Sequence, residues 1–212
     1  EFHTFKLQRK LMKPTTSVIT FLLLLGGAYW AFMASTPTYR EDSGKPESEF
    51  STDRAMKHVE KISEEPHAVG FPGHKTVKEY LVRTLKGMGL EPEIQSGYTA
   101  GDWGNLSKAE NILVRIPGTE NTRALLLLSH YDSNPHSSYG ASVSGSGVAT
   151  ILVVLRSFLS KGQAPKNDII VLITDADELG VNGADLVVNS HPWGRDVGLV
   201  WNLDGRGGGG PS

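Results

Sequence analysis

Three short stretches concentrate the side chains of this sequence that could hold a metal ion or move a proton: Ser129-His130-Tyr131-Asp132, Thr174-Asp175-Ala176-Asp177-Glu178 and Asn202-Leu203-Asp204. The chain contains no cysteine, so any metal would be held by His, Asp and Glu. Imidazole nitrogen and carboxylate oxygen together suit Zn²⁺, at about 2.0–2.2 Å. In an extended segment, residues i and i+2 point the same way. Asp132 can therefore stand behind the His130 imidazole, fix its tautomer and raise its basicity, which makes His130 the ligand and Asp132 its support. Asp177 and Glu178 are adjacent and diverge, so one can bind metal while the other reaches a metal-bound water. Any one of these stretches alone is more often a helix cap or a solvated loop. Their recurrence at successive sites of the same kind is what carries weight.

Each stretch ends an apolar run. Ala124–Ser129 and Ile169–Ile173 are almost wholly aliphatic, as expected of central strands buried on both faces of a helix-covered parallel sheet. Gly147–Leu159 suits the crossover helix between them, and a helix over Leu179–Asn189 followed by a strand over Gly198–Leu203 continues the alternation. Upstream, Ser51 is a candidate N-cap for a helix that ends by Pro66, and a second helix is expected over His74–Met88 with Gly89 as its stop. Glu91–Tyr98 and Glu110–Ile116 read as strands. The fold class is therefore α/β: a mostly parallel central sheet with helices on both faces. In such sheets functional groups gather beyond the carboxyl ends of the strands, where all three stretches lie.

The N-terminal part is different. Ser17–Ala34 carries no charge and is long enough to span a bilayer core of ~30 Å. Lys6, Arg9, Lys10 and Lys13 precede it and a mostly acidic stretch follows, so the positive-inside rule places the N-terminus in the cytoplasm. A cleaved signal peptide is the competing reading, but Ala31-Phe32-Met33-Ala34-Ser35 lacks a small-x-small cleavage site. The expected organisation is a basic cytoplasmic tail over 1–16, a transmembrane helix over 17–35, a solvated linker over 36–50 and a hydrolase-like domain over 51–212, on the periplasmic or lumenal side. A net charge of −2 gives no attraction to nucleic acid, and nothing speaks to oligomeric state.

The segments LLLLSHYDS, GASVSGSGVA, TDADELGVNGA and NLDGRGGGGPS, in this order and spacing, resemble the M28 zinc aminopeptidases. The flanking RAMKHVEKISEEPHAVGFPGHKTVKEYLVRTLKGMGLEPEIQ is similar to the membrane-bound endoplasmic reticulum and vacuolar branch. The resemblance implies two zinc ions per site, with His130 on one, Glu178 on the other and Asp204 completing a site. It makes Asp177 the general base, with Asp132 beside it as the second catalytic carboxylate, and peptides the substrates.

Three departures go with it. Val143 stands where the family has an aspartate bridging both zincs, so occupancy by one zinc or none becomes an alternative. Asp177 replaces the usual glutamate base and is one methylene shorter. The family's last histidine ligand lies beyond Asp204, so the C-terminal part of the domain is expected to be missing. His191, after a helix and before Pro192, reads as a surface turn, and His58, His67, His74 and His136 read as surface or capping residues. Serine hydrolysis is disfavoured because Ser142, Ser144 and Ser146 form no GxSxG. Gly207–Gly210 reads as a flexible loop, since no P-loop Lys-Ser/Thr follows it. Asn105-Leu106-Ser107 is a glycosylation sequon. Two readings result: a membrane-anchored metallo-exopeptidase, or a non-catalytic, membrane-tethered peptide-binding module of the same fold. Val143 favours the second. Retention of His130, Asp132, Glu178 and Asp204 favours the first.

Overall fold

A computed structural model describes residues 14–36, 42, 44–101, 104–120, 123–136 and 138–205. Residues 1–13 of the basic tail, linker residues 37–41 and 43, and the Gly207–Gly210 loop lie outside the described residues, and 14–16 belong to the helix that follows. Contacts divide the chain into two compact units, one containing residues 1–40 and the other residues 41–208. In the first, helix α1 (Pro14–Ser35) has 22 residues and none is buried, and by length and composition it can cross a membrane.

The second unit carries a five-stranded sheet, β1 (Glu93–Ala100), β2 (Leu106–Ile116), β3 (Ala124–His130), β4 (Ile169–Thr174) and β5 (Val197–Asn202), in the order β1-β2-β4-β3-β5. β4, β3 and β5 are parallel neighbours, whereas β1 pairs antiparallel with β2 and β2 with β4. The sheet is thus mixed. Its parallel half contains every strand that ends in a candidate ligand. Helix α4 (Ser146–Leu159) makes the crossover from β3 to β4, and α5 (Asn182–Ser190) makes that from β4 to β5.

Alternation along the strands decides which helix covers which face. Ile112, Val114, Leu127, Val171 and Ile173 pack on one side with Val77, Leu81 and Leu85 of α3 (Pro72–Gly87) and Val148, Ile151, Leu152 and Leu155 of α4. Leu113, Leu126, Ile170 and Leu172 face the other side, with Val187 of α5 and Trp193. Helix α2 (Thr52–Ile62) packs on α4 through Ala55, Val59, Ala149 and Val153. Its cap is the expected one, with Ser51 Oγ accepting from the Arg54 amide at 3.2 Å.

The end of the expected linker is tied to the next helix, although residues 44–50 stay mostly exposed. Asp42 accepts from the Thr52 and Asp53 amides at 2.6 and 3.0 Å and from Ser51 Oγ at 2.9 Å, and Arg54 grips the Lys45, Pro46 and Glu49 carbonyls. Charged composition predicts solvation, but here the charges serve the free N–H groups at a helix start. Residues 141–145 form a π-helical turn before α4 that periodicity does not reveal.

Candidate metal and peptidase site

The parallel strands β3, β4 and β5 bring the three acidic stretches to one end of the sheet. His130 is the last residue of β3, Asp177 and Glu178 lie in a short 3-10 turn after β4, and Asp204 follows β5. His130 and Asp132 are 3 % and 1 % exposed, so both are out of water. Asp177 and Glu178 are half-buried and Asp204 is exposed.

Asp132 organises the cluster. Its Oδ1 accepts from His130 Nδ1 at 3.2 Å and from the Asp177 amide at 3.0 Å, and its Oδ2 accepts from the Glu178 amide at 3.1 Å. With Nδ1–H committed to Asp132, His130 Nε2 is left buried and without a hydrogen-bond partner. The nearest acidic oxygen to it is Asp204 Oδ1, at 3.5 Å. A buried, unpartnered imidazole nitrogen beside a carboxylate is the donor arrangement a cation uses. Burial works against charge on His130, but its bond to Asp132 and the charges of Asp132, Asp177 and Asp204 outweigh it and bring its pKa up to about 9. Burial pushes the Asp177 carboxyl up, reinforced by Asp132, Asp204 and Glu178 and opposed by His130.

The other ligand candidates are less converged. Glu178 Oε2 accepts from Asn134 Nδ2 at 2.8 Å, and among the described residues no group of three His, Asp or Glu side chains is assembled closely enough to hold an ion. His130 Nε2 and Asp204 Oδ1 thus face each other, whereas Glu178 is bonded to the Asn134 amide. Val143 lies at the same rim: a Cβ built on Gly205 would sit 1.9 Å from the Val143 Cα, so the segment after Asp204 runs against this turn. Gly147 is equally close to the residue after β5, since its Cβ would lie 2.0 Å from the Leu203 carbonyl oxygen.

Several polar residues of this region are poorly marked in the sequence. His67 and His74 are not surface residues, being 0 % and 8 % exposed. The His67 amide donates to Ser133 Oγ at 3.0 Å, and burial holds the His67 imidazole pKa below its ordinary value. His74 bonds to Asp175. His191 is also buried, capping the short turn after α5 and facing Glu93 at 3.3 Å, away from the ligand candidates. Asn134, two residues beyond Asp132, lies just past the motif LLLLSHYDS, and no spacing rule signals it. Nothing in spacing pairs His74 with a residue 101 positions later.

A mixed sheet with helices on both faces and acidic loops beyond its parallel strands defines a zinc-aminopeptidase-like α/β fold. Residues 111–212, just under half of the chain, match the family model described as Peptidase family M28. It is 37% identical over 155 residues to a vacuolar membrane protease of Candida albicans (strain SC5314), covering 72% of this chain and 18% of the relative. To the vacuolar membrane protease of Candida tropicalis it is 33% identical over 213 residues, covering 92% of this chain and 23% of the relative. The chain thus spans about a fifth of the length of these curated relatives.

Among solved structures, a glutaminyl cyclase of Porphyromonas gingivalis matches with a TM-score of 0.63 and 26% identity, over 73% of this chain and 59% of that one. A leucine aminopeptidase precursor from Bacteroides thetaiotaomicron matches at 0.62 and 23%, over 74% and 62%, which bears on the fold alone. A Zn-dependent exopeptidase from Parabacteroides distasonis matches at 0.53 and 27%, over 63% and 49%.

Proposed function

We propose that this chain is part of a membrane-anchored, zinc-dependent peptidase of aminopeptidase type, with α1 as the anchor and the hydrolase unit on the non-cytoplasmic side. The observation that carries the reading is the His130 imidazole, whose Nδ1 is bound by Asp132 and whose buried Nε2 is unpartnered beside Asp204. His130 and Asp204 would hold the metal, with Glu178 joining after release from Asn134. Bound there, zinc would polarise the substrate carbonyl and lower the pKa of water. Asp132 holds His130 with Nε2 turned to the site, where a metal would take the place of the Nε2 proton, and it fixes the backbone on which Asp177 stands. Asp177, its pKa raised by burial and neighbouring charge, accepts the proton of the attacking water at a carboxylate oxygen and returns it to the leaving amine. Support comes from the family, from fungal relatives named vacuolar membrane protease and from the Zn-dependent exopeptidase of the same fold.

A second reading, a non-catalytic peptide-binding module, is favoured by Val143 at the rim and by the unassembled ligand set. Zinc content of the detergent-solubilised chain, with turnover of an aminoacyl chromogenic substrate, separates the two when measured with and without Val143→Asp. The peptidase reading expects zinc in the parent chain and more zinc and faster turnover in the variant. Absence of zinc and turnover in both, also in the chain extended as in its relatives, would eliminate it.

A further inference from the structure

One buried histidine outside the proposed chemistry touches both acidic motifs. His74, in the first turn of α3, donates through Nε2–H to Asp175 Oδ1 at 2.7 Å. Its ring also lies against Tyr131, with centroids 5.1 Å apart and planes 31° from parallel, and Tyr131 is the residue between His130 and Asp132. Asp175 is fully buried, and its carboxylate accepts two further bonds, from the Ala176 amide at 2.8 Å and the Glu110 amide at 2.9 Å. The next residue, Ala176, has φ of 56°, the left-handed conformation that a side chain with a Cβ disfavours. Such backbone persists only where its surroundings over-determine it; here the Asn182 amide donates to the Ala176 carbonyl, the Asp175 amide donates to Asn111 Oδ1, and two carboxylates hold the amides of the turn. Asp175 holds the Ala176 amide, and Asp132 holds the Asp177 and Glu178 amides that follow.

We propose that His74 is a positioning residue: by fixing the buried Asp175 carboxylate it keeps Ala176 left-handed, and so sets where the Asp177 and Glu178 side chains stand against Asp132 and His130. Loss of its N–H leaves a buried carboxylate one donor short. Asp175 then turns towards other donors or admits water, the Ala176 amide is released, and the strained turn relaxes towards right-handed backbone. Sheet and helices do not depend on this bond, because the cores on both faces are apolar. The consequence for turnover rests on the functional reading above. The consequence for the turn does not.

The test uses the full chain in detergent micelles. His74→Phe keeps an aromatic ring against Tyr131 and removes the donor, and His74→Gln returns an N–H at the reach of Nε2. In the phenylalanine variant, amide hydrogen exchange at Ala176, Asp177 and Glu178 is expected to accelerate about tenfold or more, as for loss of one charge-assisted bond, with β4 and the later turns of α3 unchanged. The glutamine variant is expected to return exchange to within about threefold of the parent. Where the parent turns over substrate, the phenylalanine variant should lose kcat with KM little altered, since the displaced groups belong to the chemical step. Unchanged exchange at the three amides, equal acceleration throughout the unit, or no rescue by glutamine each overturns the proposal. A parent that neither binds zinc nor cleaves defeats the functional reading, while the exchange comparison still decides the role of His74.

Discussion

Replacing Asp132 by asparagine tests the site at its most connected point, because the change keeps the size of the side chain and alters only its acceptors and charge. Asp132 has three donors on two oxygens, His130 Nδ1 and the Asp177 amide on Oδ1, and the Glu178 amide on Oδ2. Asparagine supplies one acceptor oxygen. Its amide group must face either the single donor at Oδ2 or the pair at Oδ1, and the first arrangement costs less. One charge-assisted bond is then lost and two N–H groups confront each other at a position 1 % exposed, for a cost of about 1.5–3 kcal/mol. Removing the charge also relieves repulsion with Asp177, but it strands the His130 imidazole, and the bond term wins because water cannot replace the lost acceptor. Urea unfolding of the full chain in micelles should show this loss with an unchanged m-value, and Tm should fall by roughly 3–12 °C. Asp132→Ala, which removes all three bonds, should cost more than twice as much. A stability of Asp132→Asn within about 0.5 kcal/mol of the parent would refute the account of Asp132 as the organiser of the turn.

Gly147→Ala should separate α4 from the end of β5: the Leu203 carbonyl oxygen lies 2.0 Å from the new Cβ and must retreat by about 1 Å, so overpacking of about 1–3 kcal/mol and faster exchange of the Leu203 amide are expected. Unaltered protection of that amide, which donates to the Leu128 carbonyl at 2.8 Å, would show that the approach is not tight. The Gly118 amide, followed by Arg115, holds the Asp168 carboxyl below its ordinary value of 3.8. A depressed carboxyl stabilises the fold fully above its unfolded pKa and loses that contribution as pH falls through the folded one. Asp168→Asn should therefore flatten the stability profile below about pH 4, and identical acid unfolding of parent and variant would count against the pair. Leu199, Val200 and Trp201 of β5 are 58 %, 46 % and 62 % exposed on the strand at the sheet edge beside β3, so Val200→Lys should slow light-scattering aggregation of the chain; no change would mean that this edge is not where copies associate.

What the sequence made legible was the apolar pattern. The aliphatic runs at 124–129 and 169–173 are strands buried on both faces, because each alternates between two cores. The order of strands was not legible. The pairing of β2 with β4 is antiparallel and non-sequential, and nothing local in either strand encodes it. Edge position was hidden for the same reason: Gly198–Leu203 reads only as a further strand of the alternation, and the structure leaves most of β5 exposed. In the site, the i, i+2 spacing of His130 and Asp132 anticipated their contact, since it depends only on extended backbone. The partners of Asp175 and Glu178 are fixed by distant elements, α3 and the segment after β3, so no spacing rule could supply them.

The same bonds change what retained acidic residues say about chemistry. Asp132 and Asp175 satisfy buried backbone amides, so a fold that had lost all catalysis would still need them, and their presence favours neither functional reading. Val143 is silent on the scaffold in the opposite sense. Its turn is closed by the Gly140 carbonyl, which accepts from the Ser144 and Gly145 amides and from Ser144 Oγ, and none of these bonds uses the side chain at position 143. Exchanging valine and aspartate there alters what an ion would meet and leaves the fold's own accounts of hydrogen bonding unchanged. The residues that discriminate are therefore His130, whose Nε2 has no hydrogen-bond partner, Glu178, whose carboxylate touches the Asn134 amide, and Asp204, whose side chain is 52% exposed. His67 Nε2 is buried without a hydrogen-bond partner too, so what singles out His130 is that its open nitrogen faces a carboxylate, Asp204, at 3.5 Å. His130→Leu, which fills the volume and removes the orphaned nitrogen, should accordingly abolish zinc binding; in zinc-free buffer it should cost roughly 1.5–3 kcal/mol, because the buried Asp132 carboxylate loses its Nδ1–H donor. Zinc binding retained by the variant would show instead that the imidazole is held for the fold.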